Sequence, residues 1–190
     1  MSRTALVVRY VLWLWFFGAI AAGYFLPLQR IPAPAILAVI FTLTGLLLSA
    51  YVRIAPLRTW VDSLDPLALV QLHLTRFVGF YFLFLYREGE LPHGFAVTGG
   101  VGDIVVATFA AVLLFVPFAE PRLHRLLNMW NVIGLIDLVF VLFTAARLNL
   151  ADPSQLRALT YLPLSLLPTF LVPLLLATHV ILFLRLNQKP

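Results

Sequence analysis

The sequence contains no cysteine, a single lysine and few charged residues of any kind. Without cysteine, the chain has no disulfide, no thiolate metal ligand and no cysteine nucleophile. The lysine is Lys189, close to the C-terminus, so no lysine within an apolar segment can hold an aldehyde cofactor as a Schiff base. Charged residues make up 11% of the 190 residues, whereas soluble domains typically contain about 25%. A fully water-facing surface is therefore excluded.

Apolar residues dominate the composition: 62% of the chain is hydrophobic, and its mean hydropathy is +1.00. A membrane-spanning helix needs about 20 predominantly apolar residues, and six windows qualify. We predict an all-α fold, with residues 1–190 forming a single transmembrane domain, a polytopic bundle of six spans. The windows are approximately Val7–Leu28, Ala35–Val52, Leu67–Tyr86, Val101–Phe118, Leu126–Leu148 and Tyr161–Leu186.

The distribution of cations predicts the orientation of these spans. Cytoplasmic loops of membrane proteins carry the excess of Lys and Arg, so we expect both termini in the cytoplasm of a bacterial-type inner (cell) membrane. The pI is about 10.1, but the cations lie at helix ends, so the predicted partner is the lipid bilayer, not nucleic acid. The cytoplasmic cations are Arg3, Arg9, Arg53, Arg58, Arg122, Arg125, Arg185 and Lys189, against Arg30, Arg87, Arg147 and Arg157 outside.

Ionisable side chains inside the spans are the most informative polar feature of the sequence, because each costs about 2.5–3.5 kcal/mol on insertion scales. At about 1.5 Å per residue, Arg76 and Asp137 both fall near the midplane, which predicts an ion pair between them. Asp103 lies nearer the outer face and can reach the same guanidinium. We predict a buried polar cluster of Arg76, Asp103, Asp137 and Asn131, acting as a clasp that fixes helix register or as a substrate or proton pathway.

Two histidines, His73 and His179, fall at similar depth on different helices. Such a pair can form hydrogen bonds within the core, or it can ligate a haem from both sides. Haem b is therefore an alternative cofactor, and these residues are its candidate ligands. We predict no metal-ion site elsewhere.

Three prolines recur every five residues in the sixth window, at Pro163, Pro168 and Pro173. Each removes a backbone donor and tends to bend a helix. The result is either a curved helix fitted to its neighbours or a broken helix that lines a ligand site.

Catalytic motifs are absent from the sequence: there is no Gly-x-Ser-x-Gly nucleophile elbow and no His-x-x-His pair. We therefore predict a non-catalytic membrane protein, an accessory or scaffold subunit that packs against other membrane protein subunits in a larger complex. The alternative is a small ligand-binding or transport protein that uses the cluster of Arg76, Asp137 and Asp103 and the bent sixth helix. A bis-histidine haem protein is the third hypothesis.

Overall fold

The computed structural model describes residues 2–26 and 31–187, and these residues form helices and turns without a β-strand. The predicted end of the first span at Leu28, and the cations Arg30 and Lys189, lie outside the described residues. The helices are α1 (Arg3–Phe25), α2 (Ala33–Arg53), α3 (Ala55–Asp62), α4 (Pro66–Val70), α5 (Val78–Arg87), α6 (His93–Phe115), α7 (Glu120–Ala151) and α8 (Val172–Leu186). Two 3-10 segments, Gln71–Phe77 and Pro153–Thr160, and a π-helical turn, Leu167–Leu171, complete the described structure.

Six of the described helical stretches are long and apolar enough to cross a membrane, which confirms the predicted number. Their arrangement as one bundle stays a prediction. The stretches are Arg3–Phe25, Pro34–Arg53, Pro66–Arg87, His93–Phe115, Glu120–Ala151 and Leu167–Leu186.

The first residues of three spans differ most from the prediction, while the first span begins at Arg3 instead of Val7 and the second and third differ by one residue at each end. The fourth begins at His93 instead of Val101, because Pro92 provides an extended N-cap and the glycines at 99, 100 and 102 continue the helix. The fifth extends over Glu120–Ala151, with a proline in its first turn, where the missing N–H costs nothing. The sixth begins at Leu167, so Pro163 lies in the preceding turn and does not bend the helix.

The third span is not a continuous α-helix. Asp65 caps α4 by accepting a hydrogen bond from the Leu67 N–H at 2.8 Å. The chain then follows the 3-10 segment Gln71–Phe77 before α5 begins. Within that segment the Thr75 hydroxyl donates to the Leu72 carbonyl, three residues earlier, at 2.7 Å. Side chains three residues apart eclipse one another in a 3-10 helix, so His73 and Arg76 lie on the same face.

Two compact units divide the described residues. The first lies within residues 1–64 and 157–177, and the second within residues 65–156 and from 178 onward. In the first unit, the backbone of α1 approaches the turn before α8: a Cβ on Gly23 would overlap the Ser165 hydroxyl. In the second unit, α5 and α6 pack so closely that a Cβ on Gly100 would lie 2.9 Å from the Gly79 carbonyl oxygen. Glycine at 23 allows α1 to approach this turn closely, and glycine at 79 and 100 allows α5 and α6 to approach each other closely.

Candidate functional site

A buried guanidinium lies at the centre of the second unit. Arg76, which is 1% exposed, donates through Nε to Asp103 Oδ1 at 2.6 Å. Its Nη2 atom donates to Asp137 Oδ2, and its Nη1 atom donates to the main-chain carbonyl of Gly134 at 2.9 Å. All three guanidinium nitrogens therefore have protein acceptors. We call Arg76, Asp103 and Asp137 the arginine triad.

Three separate elements supply the arginine triad: the 3-10 segment provides Arg76, α6 provides Asp103 and α7 provides Asp137. Glycine lets these elements meet. A Cβ on Gly102 would overlap Asp137 Oδ1, so only a residue without a side chain leaves room for that carboxylate. Charge-assisted hydrogen bonds of this kind are short and strong, and here they join three elements at one point.

A second polar group, the histidine pair, consists of His73 and His179, both fully buried. The Nε2 atom of His73 is 3.0 Å from the Thr178 hydroxyl. The Nδ1 atom of His179 is 2.8 Å from Asn131 Oδ1. Each ring is therefore oriented by a hydrogen bond at one nitrogen, while the other nitrogen, Nδ1 of His73 and Nε2 of His179, has no partner.

Asn131 fixes the tautomer of His179. Its amide nitrogen donates to the main-chain carbonyl of His179 at 3.0 Å, so its Oδ1 atom is the amide oxygen and can only accept. The facing Nδ1 atom of His179 must therefore carry the proton. In the neutral ring, Nε2 then carries a lone pair.

Aromatic packing around the histidine pair argues against haem ligation. The ring centroids of His73 and His179 are only 4.2 Å apart, and Trp130 packs against both rings, at 4.8 Å and 5.4 Å. A bis-histidine haem needs its iron and the flat macrocycle between the two imidazoles. Rings in direct contact do not accommodate that disc, so these residues do not fit haem b.

Gly134 on α7 connects the triad to the histidine pair. Its carbonyl accepts the hydrogen bond from Arg76. At the same residue, a Cβ added to Gly134 would lie 2.7 Å from His179 Cε1 and 3.1 Å from His179 Nε2. The backbone of this one residue therefore touches both polar groups.

The structure brings together every polar residue that the sequence singled out. Arg76 contacts both Asp103 and Asp137, and Asn131 joins the histidine pair instead of the triad. Gly134, Trp130 and Thr178 complete the two groups and were not expected. Of these, Trp130 neighbours Asn131 in the sequence, and Thr178 neighbours His179, so a search one residue either side of the predicted polar positions finds both. Among residues 2–26 and 31–187, no three His, Asp or Glu side chains form a metal-binding group.

Residues 33–187 match a family described as a domain of unknown function, DUF8737. This range includes both polar groups and most of the chain. The chain belongs to that family. No curated protein matches the chain, and no solved structure matches it.

Proposed function

We propose that the protein is a non-catalytic, multi-pass membrane protein that acts as an accessory or scaffold subunit in a larger membrane complex. The observation that carries this proposal is the set of hydrogen bonds of Arg76, whose three guanidinium nitrogens all donate to acceptors on α6 and α7. These bonds join the 3-10 segment to both helices. An arginine that joins three elements in this way fixes the register of those elements.

Orientation in the membrane forms part of the proposal. We place both termini in the cytoplasm of a bacterial-type inner membrane, with Arg53, Arg58, Arg122 and Arg125 on that side. Glu88–Pro92, the loop between α5 and α6, then lies outside. The distribution of arginine supports this arrangement through the positive-inside rule.

The sixth span also favours a packing role over a ligand cavity. Pro173 has no N–H to donate to the carbonyl of Thr169, four residues earlier. The Trp15 indole donates to that carbonyl at 2.9 Å instead. A freed carbonyl that a neighbouring helix satisfies needs no water-filled cavity.

Large apolar side chains on the outside of α7 offer a surface for lipid and for partner subunits. Ile136, Phe140 and Phe143 recur at helical spacing and are all exposed. To test for a partner, a photo-crosslinking residue is placed at Phe143 in the native membrane. The matched control carries the same residue at Phe82, which is buried.

We expect Phe143 to yield an adduct with one protein of discrete mass, and Phe82 to yield none. If Phe143 crosslinks only to lipid and the purified chain is a lone species on native mass spectrometry, the scaffold proposal is wrong. The same material can be examined for colour, which tests whether haem is bound.

One observation favours a second candidate, a small ligand-binding or transport protein. The 3-10 segment that carries His73 and Arg76 interrupts a membrane-length helix, and such interruptions often mark functional hinges. Ionisable residues at membrane depth are also common in substrate pathways. Reconstitution in liposomes tests this alternative: solute uptake that Arg76→Gln abolishes and Arg87→Gln preserves would favour transport.

A further inference from the structure

The charges of the arginine triad do not balance. Two carboxylates, those of Asp103 and Asp137, share the guanidinium of Arg76 as their salt-bridge partner within the described residues. With all three groups ionised, the triad carries one net negative charge. A net charge at membrane depth is costly, and two carboxylates that share a site do not both ionise freely.

The titratable groups beside the triad do not supply the missing positive charge. His73 shares the face of Arg76 on the 3-10 segment, and His179 on α8 contacts Gly134 on α7. Both rings are fully buried, and each has a nitrogen without a partner. Protonating His179 would place a new N–H at its unpartnered Nε2 atom, and burying an unsatisfied donor is unfavourable. The proton that neutralises the triad therefore binds to one of the two carboxylates.

We propose that the arginine triad is a binding site for one exchangeable proton. One O–H bond forms between a proton taken from bulk water and a carboxylate oxygen of Asp103 or Asp137, while Arg76 keeps its own protons. The triad then contains one guanidinium, one carboxylate and one carboxylic acid, and it is neutral. On release, the proton returns to water and the net negative charge returns to the triad.

The side chains of the two acids differ in how much of each is exposed. The side chain of Asp103 is 8% exposed and that of Asp137 is 17% exposed. Asp137 is therefore the carboxyl group that the protein encloses less. Because the two acids share one proton, they titrate as a pair.

Infrared difference spectroscopy of the full chain in lipid nanodiscs, recorded across a pH titration, tests the proposal. A protonated carboxyl group has a carbonyl stretch distinct from that of a carboxylate. We expect one such group per chain that is lost as the pH rises. Asp103→Asn and Asp137→Asn should each remove this signal, because the remaining acid then forms a one-to-one ion pair with Arg76 and stays ionised. Glu88→Gln, at an exposed site in the loop after α5, should leave it unchanged.

The titration of the wild-type protein decides the matter even if a variant does not fold. Absence of a protonated buried carboxyl at every pH at which the protein is folded would overturn the proposal. So would a signal that survives in both asparagine variants. Repeating the titration in sodium and in choline salts tests the competing occupant: sodium-dependent loss of the signal, or stabilisation by sodium without any carboxyl signal, would identify a metal-cation site instead. None of these outcomes depends on whether the chain has partner subunits.

Discussion

The indole Nε1 atom of Trp15 donates a hydrogen bond to the main-chain carbonyl of Thr169 at 2.9 Å. In a regular helix, that carbonyl would accept from the N–H of residue 173, which is a proline. The chain follows a π-helical turn over Leu167–Leu171 at this point. One side chain of α1 therefore supplies the donor that the sequence of the sixth span lacks.

Replacing this indole should expose its contribution to stability. Trp15→Phe keeps an aromatic ring but leaves the Thr169 carbonyl without its donor, so we expect a loss of about 1–3 kcal/mol. Thermal or denaturant unfolding in detergent measures the loss. Trp13→Phe, on the exposed side of the same helix, is the control and should change stability much less. Equal losses for the two variants would show that the hydrogen bond contributes nothing.

The features that the sequence predicted are those with a strong local signal. Apolar runs of membrane length identified six helices, and the cost of buried charge identified Arg76, Asp103 and Asp137 as neighbours. Whether the neighbours form a functional site stays a prediction.

The features that sequence reasoning missed depend on contacts between distant segments. The helix α6 continues through its glycines because Gly100 packs against α5 and Gly99 and Gly102 pack against α7, and no local pattern indicates that packing. The amphipathic helix α3 (Ala55–Asp62) was missed because it is too short for a membrane span. It is held by a hydrogen bond from the Tyr51 hydroxyl to the Asp62 carboxylate at 2.7 Å, which links residues eleven positions apart. The 3-10 segment was predicted as part of a continuous helix, because an apolar run does not distinguish a 3-10 helix from an α-helix.

Glycine substitutions should have opposite effects inside and outside the site. Gly102→Ala places a methyl group against the Asp137 carboxylate, and overpacking of this kind costs about 1–3 kcal/mol. Gly45→Ala, on α2, meets nothing within 4 Å. Alanine is favoured over glycine in a helix by about 0.5–1 kcal/mol, so this control should be neutral or stabilising. Unfolding in detergent compares the two, and destabilisation by Gly45→Ala of the same size would contradict the predicted contrast.

Reporter fusions test the proposed orientation. A reporter that is active only in the cytoplasm should be active when fused after Pro190 and silent when inserted at Gly89, in the turn after α5. A periplasmic reporter at the same two sites should give the opposite pattern. The excess of arginine on the proposed cytoplasmic side provides the physical reason. An active periplasmic reporter after Pro190 would reverse the proposed topology.

Removing the guanidinium of the triad should be more damaging than neutralising the whole triad. Arg76→Gln leaves two buried carboxyl groups without their cation, and we expect a loss of about 3–5 kcal/mol. The triple variant Arg76→Gln, Asp103→Asn, Asp137→Asn has no buried charge left and should recover part of that loss, since groups in contact are not additive. Arg87→Gln, at an exposed position at the end of α5, controls for the loss of a cation as such. Unfolding of the wild type, these three variants and the single variants Asp103→Asn and Asp137→Asn in one detergent gives the comparison. If the triple variant is less stable than Arg76→Gln by the sum of the separate asparagine effects, the three residues do not act as a unit and the clasp interpretation is wrong.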